Sequence, residues 1–186
     1  MHRLVTTTLA TLCLTPALAA DPDPRLLAGR EASMALGQAL QQTLKTTMQQ
    51  DGPVAAVTVC NLEAPELAAI VAERQDMSVG RTSLQVRNPD NRADAWEQAV
   101  LQDFQARLAA GESPAGLEHG EVVAVHGEPM YRYMKAIPTA EVCLICHGGN
   151  IPEAVATRID EHYPTDTARG FAVGELRGAF SIIMAP

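Results

Sequence analysis

The sequence predicts an α+β domain, with helices first and an antiparallel sheet later, and three observations point there. Pro24 to about Gln50 carries apolar residues at helical spacing. Trp96, Val100, Phe104 and Leu108 recur every four residues, and two short β-prone runs flank Gly127-Glu128-Pro129. The chain's 186 residues suit one domain, or one domain with a helical extension. With 47% apolar and 19% charged residues it is not a disordered chain. A formal net charge of -8 argues against a nucleic-acid partner, which would call for a basic stripe. Only 4% of residues are aromatic, a thin supply for a core of this size.

The elements follow in order. Leu26, Leu27, Met34, Leu36, Leu40, Leu44 and Met48 form the stripe of the first helix, which Gly29 and Gly37 weaken slightly and Asp51-Gly52-Pro53 ends. Val54 to Asn61 reads equally as a short helix or a strand, and Ala64-Pro65-Glu66 reads as a helix start running to about Arg74. Met77 to Val86 is expected extended, closed by the turn Asn88-Pro89-Asp90-Asn91. A helix from about Arg92 to Ala110 follows, with Gly111 where a C-terminal cap belongs. Glu121–His126 and Met130–Ile137 make a hairpin, Pro152–Tyr163 a short helix, and Phe171–Val173 and Ala179–Met184 closing strands.

The first residues read as an export leader. Met1-His2-Arg3 supplies a positive start, Leu4 to Leu14 an uncharged and mostly apolar run, and Ala17-Leu18-Ala19 a small-x-small cleavage site. No apolar run of membrane-spanning length is expected beyond it. The division expected is a signal peptide over 1–19, an N-terminal helix over 20–52 and the main domain over 53–186. Cleavage removes Arg3 and no acid, so -8 becomes -9, and the product is expected in the periplasm. Cys13 leaves with the leader, and Cys60, Cys143 and Cys146 remain, an odd number for an oxidising compartment.

Cys143-Leu144-Ile145-Cys146-His147 carries the chemistry. The C-x-x-C-H spacing lets two thiols add to the two vinyl groups of a haem, and the next histidine then falls under the iron as proximal ligand. A zinc ribbon would need a second C-x-x-C, a thioredoxin-like pair would want a βαβ unit, and a plain disulfide leaves the histidine unexplained. For the sixth ligand the residues alone leave His119, His126, His162, Met184 and Cys60 open. A thiolate binds ferric iron well, so Cys60 stands out. A motif this late also admits a cytochrome c′-like four-helix bundle as runner-up fold. The hairpin and the glycine- and strand-rich end of the chain argue against it.

Four ordered blocks then resemble a known family. They are Val59-Cys60-Asn61 with Ala64-Pro65-Glu66; Gly80-Arg81-Thr82-Ser83 with Arg87-Asn88-Pro89-x-Asn91 and Trp96-Glu97; the motif through Gly148; and Gly174-Glu175-Leu176-Arg177-Gly178-Ala179. From about residue 30 onward the chain is similar to a bacterial c-type haem family formerly listed as a domain of unknown function. The resemblance implies a PAS-like fold and one haem c, with thioethers at Cys143 and Cys146, His147 proximal and Cys60 distal. Arg81, Arg87 and Arg177 become candidates for the haem propionates, because a guanidinium grips a carboxylate in a fork. Lys135 and Tyr133 are weaker candidates. The segment Asp166 to Gly170 fits the family pattern only loosely, which leaves any role for Arg169 open.

The expected function is that of a non-enzymatic mono-haem redox protein, in electron transfer or redox signalling with a separate redox partner protein. The alternatives are a haem-based sensor binding a diatomic gas, and a peroxidase-like enzyme with His126 as its one candidate acid–base group.

Overall fold

The computed structural model describes residues 23–186, so the leader and Cys13 lie outside the described residues. Two long helices, α1 (Pro24–Gln50) and α2 (Gly52–Gln75), precede strand β1 (Ser78–Thr82) and helix α3 (Ala95–Ala109). Then come the strands β2 (Glu118–Val125) and β3 (Glu128–Pro138), the single-turn helix α4 (Leu144–His147), helix α5 (Glu153–His162) and strand β4 (Leu176–Met184). The four strands form one antiparallel sheet in the order β1-β4-β3-β2. This is the expected α+β, PAS-like arrangement and not a four-helix bundle.

The sheet is covered on both faces, so β3 is buried through the consecutive residues Tyr131, Arg132, Tyr133 and Met134. Tyr131 and Tyr133, with Val79, Ile182 and Met184, face α1 and α2. Met134, Ala136 and Ala179 face Val100, Leu101 and Phe104 of α3. A third apolar cluster joins Val57 of α2 to Val155 and Ile159 of α5 and to Tyr163. The stripe expected on α3 is the one that packs.

On α1 the buried face is smaller-residued than the sequence suggests: Gly29, Ala32, Ser33 and Leu36 are buried, whereas Leu27 and Met34 stay exposed. The two helix-weakening glycines explain the choice. A Cβ at Gly29 would stand 2.5 Å from Cγ of Tyr133, and one at Gly37 would stand 3.1 Å from Cζ of Phe180. The bare backbone is where the aromatic rings lie.

Three expectations are corrected. Residues 52–75 form one continuous helix with Pro65 inside it, so neither a strand at Val54–Asn61 nor a second helix start is present. Pro65 removes one helical hydrogen bond, a loss of about 3 kcal/mol in a helix interior. The continuous buried line of Ala56, Val57, Ala64 and Val71 outweighs it. The same helix reaches a mean hydropathy of 1.5 and is long enough to cross a membrane, contrary to the expectation that no such run follows the leader. Here its buried line packs on α1, α5 and the sheet. Finally, Phe171–Val173 is not a strand. Its backbone bonds go elsewhere: Phe171 N–H donates to His147 O at 3.0 Å, and Ala172 N–H donates to the Glu175 carboxylate at 2.8 Å.

The β2–β3 hairpin turns at His126-Gly127, both with positive φ (53° and 89°), the geometry of a tight two-residue turn. On the α3 face a buried carboxylate, Glu97, ties the layers together. It accepts from Thr82 Oγ1 (3.0 Å), Ser181 Oγ (2.6 Å) and Asp94 N–H (3.0 Å), and pairs with Arg132 at 3.2 Å. Arg132 in turn reaches Asp94 at 2.7 Å and lies over the Trp96 ring. The Trp96-Glu97 block is thus a structural fastening between β1, β3, β4 and the start of α3.

Candidate functional site

The site forms where β3 ends and the chain turns into the cysteine motif. Thr139 is pinned to the loop before β4, donating its N–H to Glu175 O (2.8 Å) and accepting from Gly174 N–H (2.9 Å). Cys143 and Cys146 sit three residues apart across the single turn of α4, so both point to one side of it. Cys60, Cys143 and Cys146 are all free thiols. Cys146 packs into the α2–α5 cluster with Val57 and Ile159, and burial raises its thiol pKa.

His147 is held in one tautomer. Its Nδ1 lies 2.8 Å from Ala168 O, and a carbonyl only accepts, so Nδ1 carries the proton and Nε2 keeps a free lone pair. Burial, then Arg177 and Arg87, bring its pKa down to about 3, which keeps the imidazole neutral. This second-neighbour hydrogen bond is what orients metal-binding histidines. Phe171 packs edge-on against the ring at 6.3 Å.

Cys60 lies on α2. Its surface is open to solvent, yet burial is the main cause raising its thiol pKa, with Arg81 and then Arg87 opposing. Tyr163, buried just after α5, shares this neighbourhood: burial raises the pKa of its phenol, which lies near Asn61, Cys60, Arg87 and Arg81.

The three arginines divide. Arg87 is spent on protein: it pairs with Asp166 (3.1 Å) and donates to Cys146 O (2.7 Å) and Ala168 O (3.0 Å). Arg177 donates to Ser83 Oγ and Gln85 O, both at 3.2 Å, and lies over Phe171 at 5.3 Å. Among the described residues neither Arg81 nor Arg177 has a carboxylate within ion-pair distance. Burial lowers the pKa of both, that of Arg177 to about 10. Gly178 brings them together: its φ of 158° lets β4 approach β1 so closely that a Cβ there would stand 2.3 Å from Thr82 O.

The donor set fits a haem c. Two thiols on one turn, a neutral imidazole with a free Nε2, a further exposed thiol on α2 and two half-buried cations lacking counter-ions match two vinyls, an iron and two carboxylates. Among the described residues no cluster of three or more His, Cys, Asp or Glu is arranged to hold a metal ion by itself.

The other sequence candidates fall elsewhere. His126 sits in the hairpin turn before β3, about 35 Å from the motif along that 11-residue strand. Met184 pairs with Tyr131 at the same far end. His119 pairs with Glu121 on the edge strand, and His162 Nε2 contacts Thr58 Oγ1 at 3.1 Å. Lys135 donates to Ala115 O and Tyr133 to the Glu118 carboxylate, so neither faces the motif. Arg169 pairs with Asp166 and Asp160. Sequence reasoning missed Tyr163, Asp166, Phe171 and the Ala168 carbonyl. The last acts through its backbone and leaves no residue-type signal.

Residues 25–185 match the model of the family described as Tll0287-like. Among solved structures the fold is similar to the crystal structure of the cyanobacterial heme-protein Tll0287. The TM-score is 0.60 and the identity 21%, over 87% of this chain and 92% of that one. No curated protein matches the chain.

Proposed function

This chain belongs to the Tll0287-like family, and from that premise we propose that it is an exported, periplasmic mono-haem c-type protein of electron transfer or redox signalling. Thioethers at Cys143 and Cys146 anchor the haem, with His147 as proximal and Cys60 as distal iron ligand. The observation that carries this reading is the His147 ring, locked by Nδ1 on Ala168 O at 2.8 Å with Nε2 free, directly after two thiols on one helical turn. The haem protein named in the structural comparison supports it.

When bound, the haem supplies one-electron exchange at its iron. The protein's part is to hold and bias it. Cys60 as a thiolate donor favours the ferric side, so the reduction potential falls below that of a His/Met pair. Arg81 and Arg177 supply the positive charge that two carboxylates need, and Arg87 and Asp166 fasten the motif to the loop before β4. His126, the acid–base candidate of the peroxidase-like alternative, lies in the hairpin turn at the far end of β3. Signalling through this haem would use a separate redox partner.

The test is expression with a c-type haem-attachment system, followed by denaturing electrophoresis and haem staining. Stain should stay with the wild-type chain and be lost when both Cys143 and Cys146 are changed to Ala. A second reading, a gas or redox sensor in which the Cys60 ligand leaves on reduction and opens a site for a diatomic gas, is favoured by the exposed position of Cys60 on α2. Reduction with dithionite under CO separates the two readings. A rapid, stable adduct supports the sensor, and an unreactive reduced protein supports the carrier.

A further inference from the structure

We infer that Arg87, rather than binding a haem carboxylate, is a positioning residue that tunes the proximal histidine through the Ala168 carbonyl; this rests on the haem reading above. Ala168 O accepts two hydrogen bonds, from His147 Nδ1 at 2.8 Å and from Arg87 Nη2 at 3.0 Å. The same guanidinium holds Cys146 O at 2.7 Å, so one cation grips the carbonyl before His147 in sequence and the carbonyl that orients its ring. Its charge is met by Asp166, whose side chain is only 1% exposed. Asp166 also accepts from Ala168 N–H at 3.0 Å and from Arg169 Nε at 2.7 Å. The Ala168 peptide segment is thus clamped at both ends, N–H by the carboxylate and C=O by the guanidinium.

The chemical consequence follows from sharing. A carbonyl already bonded to a cation offers less electron density to its second donor. His147 Nδ1–H is then held firmly in place but polarised weakly, and Nε2 is a poorer donor than it would be with a free carbonyl as acceptor. Arg87 thereby pushes the reduction equilibrium toward ferrous, opposing the thiolate of Cys60. Its own positive charge acts in the same direction. Asp166 acts the other way, because it neutralises Arg87.

The experiment compares wild type, Arg87→Gln and Asp166→Asn as holoproteins, reading the reduction potential and the His147 Nδ1–H proton resonance in the reduced state. Arg87→Gln should move that resonance downfield and lower the reduction equilibrium constant about three- to tenfold, a tenfold change being about 59 mV for one electron. Asp166→Asn should move both readouts in the opposite sense. A merely structural clamp would loosen in both variants and shift both the same way. That outcome, or an unmoved resonance in Arg87→Gln, overturns the inference. Should Arg87→Gln fail to fold, Arg87→Lys keeps the cation and a donor and should lie near wild type in both readouts; a loss of potential of tenfold or more in the equilibrium constant would overturn it. A wild type without covalent haem would overturn the haem reading instead, and the same resonance measured on that chain still decides the relay.

Discussion

Glu97→Ala is the substitution whose consequence the structure fixes most closely. The carboxylate accepts from two hydroxyls, Thr82 Oγ1 at 3.0 Å and Ser181 Oγ at 2.6 Å, and from the Asp94 N–H that closes the start of α3. It also meets Arg132 at 3.2 Å, a guanidinium with only 7% of its side chain exposed. Removing one partner of a buried ion pair costs about 3–5 kcal/mol. The half-buried Ser181 hydroxyl left without that acceptor adds about 1 kcal/mol, the Thr82 hydroxyl keeps Asn91 O at 3.4 Å, and the Asp94 carboxylate and Trp96 ring, which stay with Arg132, offset part of the total. A net loss of about 3–5 kcal/mol results, which lowers the melting temperature of a domain this size by roughly 6–20 °C. Urea and thermal unfolding followed by circular dichroism measure it. Glu121, which takes its hydrogen bonds from Trp96 and His119 at an exposed position, is the control and should lose no more than about 0.5–1 kcal/mol on change to Ala. A Glu97→Ala protein within about 1 kcal/mol of wild type would refute the fastening role. Thr82 lies between Arg81 and Ser83, so this loss also loosens the edge of the site.

Two further outcomes follow from packing and protonation. Gly29→Ala gains about 1 kcal/mol of helix propensity, but its Cβ would stand 2.5 Å from a Tyr133 ring that is itself held by Glu118 at 2.7 Å. Overpacking of about 1–3 kcal/mol makes it the less stable of two glycine variants. Gly37→Ala, 3.1 Å from the tip of Phe180, should stay within about 0.5 kcal/mol or gain; equal melts for the two would contradict the close-approach argument. In the haem-free chain His147 is protonated at about 3 when folded against 6.5 ordinarily, so between those values the unfolded state binds more protons. Stability should therefore decline as pH falls from 6.5 towards 3, by at most about 1.4 kcal/mol per unit. Above about pH 5, before carboxylates held low by their arginine partners, such as Glu118 and Asp166, begin to contribute, the decline should vanish in His147→Gln, and a slope that survives there would assign it to another group.

The sequence made α1, α3, α5 and the hairpin readable because each rests on a local signal: an apolar stripe, a cap, a turn. It misread what depends on distant partners. Pro65 is a break by local rules, and only the burial of Ala64 and the packing of Val71 against α1 and the sheet show why the helix continues. Phe171–Val173 has strand-like residues, but its backbone is claimed by His147 and Glu175. The motif stands out by residue type and order, and Cys60 by the family resemblance; both enter the site here as proposals. The division among the arginines was not, since Arg87 and Asp166 stand 79 residues apart and the carbonyl between them belongs to an alanine.

The most direct measurement is electron paramagnetic resonance of the ferric holoprotein, wild type beside Cys60→Ala. Ligation by His147 and Cys60 predicts a low-spin thiolate signature in the wild type that the substitution abolishes. The same spectrum from both proteins would contradict Cys60 as the distal ligand and, with it, the low potential expected of the site.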